Sequence, residues 1–111
     1  MEFRSLKYVV SACAGEQIGG SPLTQVSRIC SDSRLAQAGD LFFALAGDKF
    51  DGHDFLKEVA DRGVAAVVAV REKIPPNLPC AVIAVDDPRK ALAREIAGTV
   101  ANKLQRRGRA L

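Results

Sequence analysis

Between Cys30 and Leu35 the chain sets Ser31, Asp32, Ser33 and Arg34 side by side: two hydroxyls, a carboxylate and a guanidinium in four residues. The cluster follows the strand-like segment "VSRIC" and precedes the apolar run "DLFFAL". At the end of a strand in an open α/β sheet, such groups can hydrogen-bond a polar ligand, because that edge is where these sheets bind ligands. The same residues can equally lock a loop, through an Asp–Arg pair or an Asp-to-backbone bond. Residue chemistry alone leaves both readings open.

A second polar group lies in "AGDKFDGHD", where Asp48, Asp51 and Asp54 surround His53, the one histidine of the chain. A calcium loop would need a terminal bidentate Glu and further ligands that this spacing lacks, so the aspartates read as turn and cap residues. His53 has no second His or Cys at metal-ligand spacing, and beside Gly52 it reads as a loop or helix-capping residue. No G-x-S-x-G nucleophile elbow and no G-x-x-x-x-G-K-[ST] phosphate loop occurs. "GEQIGG" does not sit between a strand and a helix, as a dinucleotide fingerprint must. No catalytic residue and no metal ligand is assigned.

These groups must be held by a small scaffold. A chain of 111 residues fits a single domain with one core. Its composition, 48% hydrophobic and 26% charged without Trp, is that of an ordinary globular protein. No apolar run approaches the roughly 18 residues of a membrane span. Glu2, Arg4 and Lys7 interrupt the N-terminal apolar positions, unlike the h-region of a secretory signal, so a cytoplasmic location is expected. Cys13, Cys30 and Cys80 are odd in number and widely spaced, which suits small core residues better than a disulfide framework or a zinc site. The excess of 16 basic over 13 acidic residues equals Arg106, Arg107 and Arg109 of the tail "QRRGRAL". A basic tail on a neutral domain reads as a solvated end or a linker rather than a nucleic-acid surface.

Ser5 is placed to cap a helix carrying Leu6, Val9, Val10 and Cys13, with Gly15 as its left-handed C-cap. Gln17-Ile18 allow a brief strand after it, and residues 26–32 suggest one strand. "DLFFAL" is apolar on both faces, as an inner strand covered on two sides is. A helix over "DFLKEVADRG" with Leu56, Val59 and Ala60 on its inner stripe ends at Gly63. The strands "VAAVVAV" and "AVIAV" flank the proline-rich connection "REKIPPNLPC". Asp87 as N-cap and Pro88 at the first position open a last helix, with Leu92, Ile96, Val100 and Leu104 as its apolar stripe. This is the pattern of a small three-layer α/β domain, a mostly parallel or mixed sheet with helices on both faces.

The segment "SDSRLAQAGDLFFALAGDKFDGHDFLKEVADRGVAAVVA" resembles the N-terminal domain of the Mur ligases: DSR, then GDLFxAL, a Gly-containing loop, DGHDF, a helix and a small-residue strand. The likeness extends to "GEQIGG" upstream and "VIAVDDPRKALAREIA" downstream, covering nearly the whole chain. The phenylalanine of "DKFDGHDF", the early "GEQIGG" and the lack of an "FY" near the end of the last helix resemble the type that adds D-alanyl-D-alanine to UDP-MurNAc-tripeptide. The type that adds the third amino acid to the dipeptide precursor is the second likeness.

The resemblance implies that residues 1–104 dock the UDP part of a UDP-MurNAc-peptide precursor, with 105–111 as a basic linker. ATP, Mg2+ and the ligation chemistry then belong to a central ATP-binding domain and a C-terminal domain, and this segment alone is inactive. Carried over by position, the implied uridine-nucleotide contacts are Ser31, Asp32, Ser33 and Arg34 in one loop and Gly47, Asp48, Lys49 and Phe50 in another. Asp32 and Arg34 are assigned mainly to holding their loop. Lys49 is expected to approach the diphosphate, and Phe50 to offer an apolar face. The competing expectation is a non-catalytic interaction module with a vestigial pocket.

Overall fold

The computed structural model describes residues 4–97. Strand β1 (Arg4–Ser5) leads directly into α1 (Leu6–Cys13), then β2 (Glu16–Gly19), β3 (Gln25–Val26) and β4 (Arg28–Cys30). A 3-10 turn at Ser33–Leu35 precedes β5 (Asp40–Phe43), and a second at Gly52–Phe55 runs into α2 (Leu56–Asp61). Strand β6 (Ala66–Val70), a third turn at Arg71–Lys73 and β7 (Ala81–Val85) follow, and residues 88–97 form helix α3.

The main sheet has the order β2-β7-β6-β5-β4, with β4 to β7 parallel and β2 antiparallel along β7. Side-chain alternation along the inner strands divides the core in two. Leu41, Phe43, Val68, Ile83 and Val85 face α1 and α3, packing with Leu6, Val9, Cys13 and Ala91. Phe42, Ala44, Val67, Ala69 and Val82 face the other way, against Leu56 and Val59 of α2. All four residues of β5 are buried, as the apolar "DLFF" requires of a strand with a layer on each side. The expected three-layer α/β architecture with a mixed sheet is therefore the fold.

Local details depart from the sequence expectations where tertiary contacts take over. Ser5 precedes α1 but makes no capping bond, and the Leu6 and Lys7 amides donate instead to the carbonyls of Thr24 and Pro22. Ala14, not Gly15, adopts the left-handed conformation after α1, at φ 53°. Gly15 serves close packing instead: a Cβ there would lie 2.6 Å from Ile83 Cγ2.

The single strand expected over 26–32 is two strands in two sheets. Ser27 interrupts it, its N–H and hydroxyl both donating to the Gly39 carbonyl, so Val26 pairs with Arg4 in a small ribbon while Arg28–Cys30 joins the main sheet. In α3, Asp87 does cap the helix, accepting the Arg89 N–H at 3.0 Å. Its inward stripe is Ala91, Leu92 and Glu95, whereas Ile96 is 48% exposed. Val100, Leu104 and the tail 105–111 lie outside the described residues.

Cys13 and Cys30 are buried and Cys80 half-buried, and none of the three is in a disulfide. Burial pushes the Cys80 thiol up to about 11. Among the described residues no helix is long and apolar enough to cross a membrane.

Candidate functional site

Strand β4 ends at Cys30, and the next four residues turn across the C-terminal edge of the sheet. Asp32 caps the short turn at Ser33–Leu35, its Oδ1 accepting the Arg34 N–H at 3.0 Å. The Arg34 side chain folds back onto the same carboxylate, Nε to Oδ1 at 3.1 Å and Nη2 to Oδ2 at 2.9 Å. The Arg34 guanidinium, and after it the Arg34 amide, hold the Asp32 carboxyl below the usual carboxylate range. The two charges are thus spent on the shape of the loop. Among the described residues the hydroxyls of Ser31 and Ser33 have no hydrogen-bond partner, which leaves them available to a ligand.

Opposite, the chain leaving β5 forms a small hairpin. Ala46 and Asp51 pair antiparallel, and the turn between them is closed by Gly47 N–H to the Phe50 carbonyl at 2.7 Å. Gly52 follows where a side chain cannot fit, since a Cβ would stand 2.8 Å from the Leu45 nitrogen. This close approach brings Phe50 to the cleft with 72% of its surface exposed.

His53 anchors the base of the hairpin. Its side chain is 5% exposed, Nε2 accepts the Val70 N–H at 3.0 Å, and Nδ1 lies 2.6 Å from Asp51 Oδ1. Because Nε2 is an acceptor, the hydrogen-bond network assigns the ring proton to Nδ1, which donates to Asp51. Lys73 Nζ donates to Asp51 Oδ2 at 2.8 Å. Together with the His53 amide it holds the Asp51 carboxyl far below the ordinary range.

The cleft between loop and hairpin has a volume of about 550 Å³. Of the eight residues singled out from the sequence, Ser31, Asp32, Ser33, Arg34 and Phe50 line it; Gly47, Asp48 and Lys49 do not. The latter three are exposed in the hairpin turn. Leu45, Phe55, Glu58 and Arg62 also line the cleft and escaped the sequence reading. Arg62 donates to the Ser33 carbonyl and pairs with Glu58 at 3.4 Å, one turn earlier on α2. The spacing of Phe55, Glu58 and Arg62 does put them on one side of the turn and helix, but charged residues such as Glu58 and Arg62 on a helix surface ordinarily face water.

The arrangement offers two hydroxyls and apolar faces from Leu45, Phe50 and Phe55, with each charged side chain matched within the wall. Hydroxyls and apolar faces of this kind can pair with the edge and cover the face of a flat, polar-edged molecule.

The family model described as "Mur ligase family, catalytic domain" matches residues 25–100. The "UDP-N-acetylmuramoyl-L-alanyl-D-glutamate--2,6-diaminopimelate ligase" of Mesorhizobium japonicum is 48% identical over 73 residues, 66% of this chain and 15% of that protein. The enzyme of the same name from a Chelativorans species is 40% identical over 92 residues, 83% of this chain and 17% of its own length. Among solved structures, MurF from Acinetobacter baumannii superposes with a TM-score of 0.73 at 32% identity, over 85% of this chain and 20% of that one. The chain spans a fifth or less of each of these proteins.

Proposed function

Since the chain belongs to the Mur ligase family, we propose that it is the substrate-docking domain of a peptidoglycan-precursor ligase and binds the UDP part of a UDP-MurNAc-peptide. The observation that carries this reading is the cleft at the C-terminal ends of β4 and β5. Ser31 and Ser33 line it together with the apolar side chains of Leu45, Phe50 and Phe55. Hydroxyls and backbone groups pair with the edge of a uracil while an aromatic face covers the ring. Asp32, Arg34 and Arg62 act as the frame of the loop. Lys49, outside the cleft lining, is the residue proposed to reach toward the diphosphate.

The residues of this chain do not suit ATP with Mg2+. No phosphate-loop sequence occurs, and Asp51, the middle carboxylate of the aspartate group, is engaged by His53 and Lys73. ATP binding, carboxylate activation and attack by the incoming amine are therefore assigned to central and C-terminal domains of a larger parent ligase. The cytoplasm is its proposed location.

The curated relatives favour the type that adds the third amino acid to the dipeptide precursor. This reverses the leaning toward the D-alanyl-D-alanine-adding type drawn from the sequence motifs. The second reading keeps one specific support, the 32% identical MurF structure. The two types share the UDP end of their substrates, which is why motifs in the docking domain separate them poorly.

Amide-resolved NMR titration of the 111-residue chain tests the docking. Saturating shifts at 31–34 and Phe50 with UDP but not ATP are expected, and their absence at millimolar UDP would sink the reading. Chimeras joining residues 1–104 to the remaining domains of the Chelativorans or the Acinetobacter enzyme test the type. Activity in the first and not the second is expected, and the opposite pattern would restore the second reading.

A further inference from the structure

The Ala46–Asp51 hairpin is held from three directions. Arg89, in the first turn of α3, donates to the Ala46 carbonyl. Lys73, in the turn after β6, binds Asp51 Oδ2. Between them His53 joins the hairpin to the last residue of β6: its backbone N–H reaches Asp51 Oδ1 at 2.9 Å, its Nδ1 reaches the same oxygen, and its Nε2 takes the Val70 N–H. The ring is almost wholly buried and both of its nitrogens are used.

We infer that His53 is a positioning residue for the cleft: by bridging Asp51 to Val70 it presets the hairpin so that Phe50 stands as a wall before any ligand arrives. The inference rests on the reading of the cleft as a uridine-nucleotide site. Its physical basis is preorganisation, since residues ordered only on binding would charge their conformational entropy against affinity. The position asks for a donor at the δ atom and an acceptor at the ε atom of one short side chain. A neutral imidazole protonated on Nδ1 supplies both at once. Gln, at nearly the same volume, carries both its amide oxygen and its amide nitrogen at the ε position, so it can accept from Val70 but puts no donor at the δ position, and Leu supplies neither.

The test uses the 111-residue chain and its His53→Gln and His53→Leu variants. With a single histidine, a long-range 1H–15N spectrum reports one ring, and a protonated Nδ1 with a bare Nε2 is expected. In hydrogen exchange, His53→Leu should speed the Gly47 and Gly52 amides by about tenfold while Val67 to Ala69 keep their protection, and His53→Gln should fall between. UDP affinity should follow the same order. A ring protonated on Nε2, or Gly47 and Gly52 exchange unchanged in both variants, overturns the inference. If the leucine variant does not fold, the ring spectrum and His53→Gln decide. Lack of UDP shifts in the unmodified chain overturns the docking reading alone, because ring and exchange data judge the role of His53 without ligand.

Discussion

Arg28 and Asp40 are register partners across β4 and β5, and the guanidinium meets the carboxylate with two bonds, Nε to Oδ1 at 3.0 Å and Nη2 to Oδ2 at 2.7 Å. Asp40 is 2% exposed and Oδ2 also accepts the Gln37 N–H at 2.8 Å. The pair fastens the edge strand that delivers Ser31 to Arg34 to the cleft. Asp40→Asn, which gives up the charge and turns an acceptor into a donor, should cost about 1–3 kcal/mol. Urea unfolding checks this: the midpoint should fall with little change in slope. An unchanged midpoint would mean that the pair does not support the edge.

Asp51 gives the fold an acid limit. Its folded-state carboxyl lies below the ordinary value, chiefly through the Lys73 hydrogen bond and then the His53 amide. The stabilisation is therefore fully present above the unfolded pKa of about 3.9 and is lost as pH falls toward the folded value. Melting temperature followed from about pH 5 to pH 2 should drop more steeply for the unmodified chain than for Asp51→Asn. Parallel curves would remove Asp51 from the acid response.

Ala14 and Gly15 respond in opposite directions to exchange of methyl and hydrogen. Ala14 carries a left-handed backbone that glycine adopts without penalty, so Ala14→Gly should stabilise by about 0.5–1 kcal/mol. Gly15→Ala would press a methyl against Ile83 and the Ala84 carbonyl and should destabilise by about 1–3 kcal/mol. Thermal unfolding of both variants checks the signs.

Two cleft residues should separate binding from stability. Phe50→Ala removes an exposed ring and should leave stability within about 0.5 kcal/mol while abolishing the UDP-induced shifts at 31–34. Arg62→Ala frees the Ser33 carbonyl and should weaken UDP binding about fivefold by loosening the loop. Equal UDP affinity in all three proteins would place the ligand elsewhere.

The layered fold was legible because its signals are local: β-branched apolar runs for β5 to β7, Asp87-Pro88 at a helix start, Gly63 at a helix end. Each of these depends on the chemistry of a few neighbouring residues. The order DSR, GDLFxAL, DGHDF pointed to the family for the same reason.

Tertiary structure alone decided what two distant segments do to each other. The break at Ser27 follows from its bonds to Gly39, and the left-handed residue after α1 is Ala14, while Gly15 lies against Ile83. In the cleft, Arg62 is drawn from the solvent face of α2 by the Ser33 carbonyl, 29 residues earlier in the chain. His53, readable as a local cap, became a bridge through the Val70 amide. A sequence displays which groups can bond, and local geometry settles near partners; far partners are chosen only when the sheet brings strand ends together and burial makes an unpaired polar group costly.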